Sequence, residues 1–151
     1  MRRRHSMPKQ WLIINSRIDP QVWNALRKLP PRSGILILHE LDGKQQRRVR
    51  SITQRGGHII AREGRNGATR VHNVKELTRA LTTRHGPVLL SPVFRTSTHP
   101  DWEPLPRMRA ATLARLCDRN AVALGGMNSS RYRKVAALGF AGWAGISAFK
   151  T

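Results

Sequence analysis

The stretch Ala121-Val-Ala-Leu-Gly-Gly-Met-Asn-Ser-Ser-Arg131, followed by Gly142-Trp-Ala-Gly-Ile-Ser-Ala148, sets out one design twice. Each copy is a short apolar strand that ends in small residues. Neither strand alternates polar with apolar positions, so both are expected to be buried on two faces. Between them, Ser129 to Leu138 has helical spacing, with Tyr132, Val135 and Leu138 on one stripe. The pattern is a βαβ unit. Gly125 and Gly126 carry no side chains where the first strand ends, and Gly145, Ile146 and Ser147 stand at the same place in the second. Backbone N–H groups there can approach an anion closely. In parallel α/β barrels the loops after the last two strands commonly form such a phosphate site.

Upstream, the same rhythm continues. Apolar segments at Trp11 to Asn15, Gly34 to Leu41, His58 to Ala61, Arg70 to His72 and Val88 to Ser91 read as strands. Helices are expected at Pro20 to Leu29 behind the cap Asp19, at Asp42 to Gln54, at Val74 to Thr83 behind the cap Asn73, and at Arg107 to Arg119. Arg62 to Thr69 holds Gly, Arg, Asn and Glu and reads as a loop. Seven strand candidates, each followed by helix or loop in the same sense, imply a parallel, TIM-barrel-like (β/α) sheet. At 151 residues the chain is short for an eight-fold barrel, which typically needs ~250 residues. The expected architecture is therefore a shortened barrel over residues 10–151, preceded by a basic flexible arm over residues 1–9.

Composition narrows the function classes. No apolar run approaches the ~20 residues that span a bilayer, and Trp11 to Asn15 is too short for the apolar region of an export signal. A cytoplasmic location is the expectation. The single cysteine, Cys117, excludes an internal disulfide and, beside Leu113 on an apolar stripe, reads as a buried small side chain rather than a nucleophile. Twenty-eight basic against 8 acidic residues give a net charge of +20, a field that attracts phosphorylated metabolites, nucleic acid or anionic surfaces. Only 5% of residues are aromatic, which leaves few platforms for stacking bases, so nucleic acid is not the favoured partner.

The run Gly86-Pro-Val-Leu-Leu-Ser-Pro-Val-Phe-Arg-Thr-Ser-Thr-His99, then a helix, the Gly-Gly-Met-Asn turn and Gly142-Trp-Ala-Gly-Ile-Ser-Ala148 resembles the end of thiamine phosphate synthase and its thiazole tautomerase (TenI-like) relatives. Those proteins carry a Gly-Pro-Val-Phe-x-Thr-x-Thr-Lys run, a Gly-Gly-Ile/Met-Asn turn and a closing Gly-Val-Ala-Val-x-Ser strand in this order. The resemblance covers about the last 80 residues well and the first 60 only in the rhythm of elements. It implies a transferase of thiamine biosynthesis that joins hydroxymethylpyrimidine diphosphate to thiazole phosphate, with Mg²⁺ as cofactor. It also implies that one βα unit is missing between Ala61 and Arg70. The resulting seam must close on itself, be covered by the Arg62 to Thr69 loop, or be covered by a second copy in a homodimer.

Carried over by the resemblance, Thr96, Thr98 and His99 fall on the catalytic loop, with His99 where a lysine usually stands. Ser91, Gly125, Gly126, Gly145, Ile146 and Ser147 match the phosphate-binding positions. The diphosphate half departs from the family. Ile37, His39 and Leu41 replace a Gln-x-Arg-x-Lys set, Ala61-Arg62 offers no carboxylate where Asn-Asp is usual, and Arg70 replaces a serine. The tautomerase histidine is absent, since Ser91-Pro92 occupies its place. No metal ligands are assigned: His39, His72 and His99 share one end of the sheet but lack short ligand spacing or a supporting carboxylate pattern. Two alternatives to the synthase stay open. One is a non-catalytic binder of thiazole phosphate or thiamine phosphate, and the other is a basic accessory domain that binds nucleic acid.

Overall fold

The computed structural model describes residues 7–14, 18–64, 67–82, 86–96 and 100–149. Strands β1 (Gln10–Ile14), β2 (Gly34–Ile37), β3 (Ile59–Arg62), β4 (Thr69–Val71), β5 (Val88–Leu90), β6 (Ala121–Leu124) and β7 (Gly142–Gly145) form one seven-stranded sheet. Every pairing is parallel, in the order β3-β2-β1-β7-β6-β5-β4. Helices α1 (Pro20–Lys28), α2 (Gly43–Gly56), α3 (Val74–Thr82), α4 (Arg107–Leu116) and α5 (Ser129–Val135) connect them. The curled sheet with its helices is a TIM-barrel-like α/β fold. Among the described residues no helix is long and apolar enough to cross a membrane.

The central strands are apolar because both faces are covered, whereas the edge strands β3 and β4 are only partly buried. Leu12, Ile14, Ile35 and Ile37 point into a layer with Val22, Leu26 and Val49 of α1 and α2. Val71, Val88, Leu90, Ala121 and Ala123 meet α3 and α4 through Leu77, Ala80, Leu113 and Cys117. The alternate residues Trp11, Ile13, Leu36, Leu89, Val122 and Ala144 pack together inside the curl. Trp11 is the largest of these, is 1% exposed, and donates its indole N–H to the Pro8 carbonyl at 3.1 Å. A Cβ on Gly34, its neighbour across the β1–β2 pair, would overlap the indole. Pro8 is buried and Met7 packs against the interior, so the end of the expected arm belongs to the folded body.

Caps set the helix starts. Asp19 accepts from the Val22 N–H at 2.9 Å, and Asp42 with Gln45 forms a capping box on α2. Asn73 accepts from the Glu76 N–H at 2.9 Å. Two elements are shorter than their sequence patterns suggest. β2 ends at Ile37, not Leu41, because Leu41 turns into the layer under α1 and α2 while His39 and Glu40 are exposed. α4 ends at Leu116, since Asp118 and Arg119 take left-handed φ values of 47° and 63°. Cys117 is buried and hydrogen-bonds the Leu113 carbonyl at 3.1 Å, as a small core residue does.

The two edge strands meet at the expected seam. Glu63 and Ala68 form a parallel bridge, the Ala68 N–H donates to the Arg62 carbonyl at 2.8 Å, and the Gly64 N–H donates to the Ala68 carbonyl at 3.1 Å. Across it, Arg70 grips the Glu63 carboxylate with two nitrogens at 2.6 and 3.1 Å. The short connection thus holds the ends of β3 and β4 together. The start of β3 is less covered, with Ile59 39% exposed.

His58, just before β3, makes this region sensitive to pH. Burial lowers its imidazole pKa below the ordinary 6.5, and a hydrogen bond with the Ser33 backbone offsets part of that shift. The unfolded chain then binds more protons than the folded one once pH falls below about 6.5, so stability declines on acidification until the folded pKa is passed. Melting temperatures from pH 8 to 5 are expected to show this fall, and His58→Gln is expected to flatten its contribution. A slope identical in the two proteins would remove His58 from the account.

Candidate functional site

The candidate residues collect at the carboxyl ends of the strands, where parallel sheets leave backbone groups unpaired. Here the loop after β5 crosses over the end of β6. The Val93 N–H donates to the Leu124 carbonyl at 2.9 Å and the Phe94 N–H to the Gly125 carbonyl at 3.2 Å. Arg131, in the first turn of α5, donates from Nη1 to the Gly126 carbonyl. Three successive carbonyls, of Leu124, Gly125 and Gly126, are therefore turned toward the loop and Arg131. In a trans peptide the N–H of the next residue points the opposite way. The N–H groups of Gly126 and Met127 accordingly point away from the partners of those carbonyls, while the Gly125 N–H lies in the β6–β7 ladder, where Leu124 pairs with Ala144.

Both glycines are required by geometry. Gly125 has φ 101° and Gly126 φ 60°, in the left-handed region. A Cβ on Gly125 would lie 2.8 Å from Pro92 Cβ and 2.9 Å from Pro92 Cα, and one on Gly126 would collide with the Arg95 carbonyl. The reading of these glycines as openings for a ligand thus needs refinement. Their side-chain positions are filled by the β5 loop and the Arg131 guanidinium.

The remaining positions are spread around this turn. Gly145 faces the Met127 carbonyl, 3.2 Å from where its Cβ would be. Ile146 is half-buried and packs on the interior cluster, and Ser147 opens a single 3-10 turn through Phe149. Ser91 is 5% exposed; its N–H donates to the Val71 carbonyl at 3.2 Å, and its carbonyl meets His72 Nδ1 at 3.0 Å. Thr96 is half-buried in the loop. Thr98 and His99 lie outside the described residues. His39, exposed in the connection after β2, lies at the same end of the sheet as His72.

Sequence reasoning missed three contacts. Glu63 follows Ala61-Arg62 by one residue and holds Arg70, the residue that replaces the family's serine. His72 meets the half-exposed indole of Trp102 edge-on, with ring centroids 5.8 Å apart. Arg131 lies over Phe94 at 5.3 Å while bound to Gly126. Only the last had a local signal, because Asn128 caps α5 through the Arg131 N–H at 2.8 Å and so puts the arginine beside the glycine turn.

Among the described residues, no group of three or more His, Cys, Asp or Glu is arranged to hold a metal ion. Several carboxylates at this end are already engaged: Asp42 on the α2 amide, Glu63 on Arg70, Glu76 on the His72 and Asn73 nitrogens. Among the described residues these engaged carboxylates leave no cluster that fits a Mg²⁺ centre.

The model of the family described as thiamine monophosphate synthase matches residues 59–149. No curated protein matches the chain. Among solved structures, the chain is similar to a thiamine phosphate pyrophosphorylase from Pyrococcus furiosus, with a TM-score of 0.71 and 18% identity over 93% of this chain and 86% of that one. It is also similar to a thiamine phosphate pyrophosphorylase from Bacteroides thetaiotaomicron, with a TM-score of 0.60 and 15% identity over 94% of this chain and 84% of that one. At these identities the likeness is one of fold.

Proposed function

Since this chain belongs to the thiamine monophosphate synthase family, we propose that it binds thiazole phosphate at the glycine turn after β6 and acts as a thiamine phosphate synthase, joining hydroxymethylpyrimidine diphosphate to thiazole phosphate with release of diphosphate. The family places the protein in thiamine biosynthesis. The observation that carries the proposal is the pair of N–H groups of Gly126 and Met127, each pointing opposite a tethered carbonyl, of Gly125 and of Gly126. Such a pair, with Gly145 and Ile146 beside it, suits a phosphate monoester, whose charge the surplus of 28 basic over 8 acidic residues also attracts.

In the reaction the C–O bond to diphosphate breaks with its electron pair on the leaving group. The thiazole nitrogen then forms the new C–N bond with its lone pair. What such chemistry asks of a protein is orientation of two rings and stabilisation of departing negative charge. The glycine turn supplies the first for the thiazole. Thr96, Thr98 and His99 are the proposed contacts to the diphosphate, and Mg²⁺ would have to come with the substrate.

A second reading, a binder of thiazole phosphate without turnover, is favoured by one observation. Glu63 and Arg70 are bound to each other where the family keeps groups for the pyrimidine diphosphate. Calorimetric titration with thiazole phosphate, followed by assay with hydroxymethylpyrimidine diphosphate and Mg²⁺, separates the two. Binding with formation of thiamine phosphate supports the synthase; binding without product supports the carrier. No binding of thiazole phosphate at all would overturn both.

A further inference from the structure

We infer that Arg131 is the positioning residue of this anion cradle, holding the Gly126 carbonyl back so that the Met127 N–H faces the bound phosphate. The inference rests on the thiazole-phosphate reading above and deepens it. Three contacts converge on one guanidinium. Nη1 donates to the Gly126 carbonyl, the guanidinium lies 5.3 Å from the Phe94 ring centre, and a Cβ at Gly126 would sit 2.9 Å from Nη1. The side chain also starts from a fixed point, since the Arg131 N–H is held by Asn128 at 2.8 Å.

The turn needs such a clamp. The Leu124 and Gly125 carbonyls are held by backbone N–H groups of the β5 loop, whereas the Gly126 carbonyl is held by Arg131. Gly126 has no side chain to limit its torsions. If the peptide between Gly126 and Met127 turned over, its carbonyl would face the phosphate and its N–H would leave the cradle. A charge-assisted hydrogen bond opposes that rotation. Arginine suits the task better than lysine, because its planar group can donate to the carbonyl and lie against Phe94 at the same time. The guanidinium also brings fixed positive charge beside the turn.

The test uses the full chain and two probes, inorganic phosphate and thiazole phosphate, with the unphosphorylated thiazole alcohol as control. In amide NMR spectra of the wild type, both phosphates are expected to shift the Gly126 and Met127 signals. In Arg131→Gln, the Kd for thiazole phosphate is expected to rise about tenfold, the loss of one charge-assisted hydrogen bond. The Met127 shift should disappear, and affinity for the alcohol should stay unchanged. Arg131→Lys should fall between, and it decides the matter if Arg131→Gln does not fold. Wild-type affinity with an unchanged Met127 shift in the variants would overturn the inference. So would an equal loss for phosphate and alcohol, which marks a general structural role. Wild-type amides that respond to neither phosphate would instead overturn the cradle itself, so the two failures are distinct.

Discussion

Alanine at Gly126 is expected to lower both stability and thiazole-phosphate affinity, and by far more than alanine at Gly145. The φ of 60° at Gly126 is left-handed, which costs an alanine roughly 1–2 kcal/mol. Its Cβ would also strike the Arg95 carbonyl and approach the Arg131 guanidinium at 2.9 Å. Backbone on one side and a clamped arginine on the other cannot both give way without moving the loop after β5. That movement would release the carbonyls of Leu124 and Gly125 and scatter the N–H groups. An affinity loss of at least ~10-fold is expected, in line with the removal of one charge-assisted hydrogen bond. Gly145 does not have a positive φ, and its nearest obstacle is 3.2 Å away, so Gly145→Ala should change the melting temperature little. Titration calorimetry and thermal melts of the two single variants and the double variant decide this. A folded double variant with unchanged affinity would remove the pocket from the glycine turn.

The second large effect is expected in the barrel interior, where Trp11 and Gly34 should behave as one unit. Trp11→Ala empties the largest interior position and is expected to cost ~3–5 kcal/mol, as large-to-small core changes do. Gly34→Ala alone drives a methyl into the indole and should cost ~1–3 kcal/mol through overpacking. Together the two changes should not add. With the indole gone, the methyl introduced by Gly34→Ala has room, and the double variant should be no less stable than Trp11→Ala. Chemical denaturation of all four proteins measures the coupling. Strict additivity would show that the indole does not occupy the space above Gly34.

Much of this architecture is legible in the chain. Non-alternating strands such as Leu12-Ile-Ile14 and Val88-Leu-Leu90 announce a sheet covered on both faces. The caps Asp19 and Asn73 mark helix starts, and their side chains act within a few residues of their own positions. The glycines of the turn and their place in the family were readable for the same reason: local order and spacing carry them. The ends of β2 and α4 were not. Leu41 is as apolar as a strand residue, and only the layer formed by α1 and α2 decides that it turns away from the strand line.

The candidate site divides along the same boundary. The sequence by itself determined the parallel α/β class, the family, and the glycine-bearing turns, because these follow from short-range periodicity and ordered motifs. The tertiary structure alone decided what fills the space beside those turns. Pro92 against Gly125, Arg131 on the Gly126 carbonyl, Phe94 under that guanidinium and Glu63 on Arg70 are pairings between chain segments brought together by sheet curvature and loop path. Glycine in a sequence marks a position where backbone can come close. Whether a ligand or another stretch of the chain comes close is set by packing, which at this turn places protein on the side-chain face.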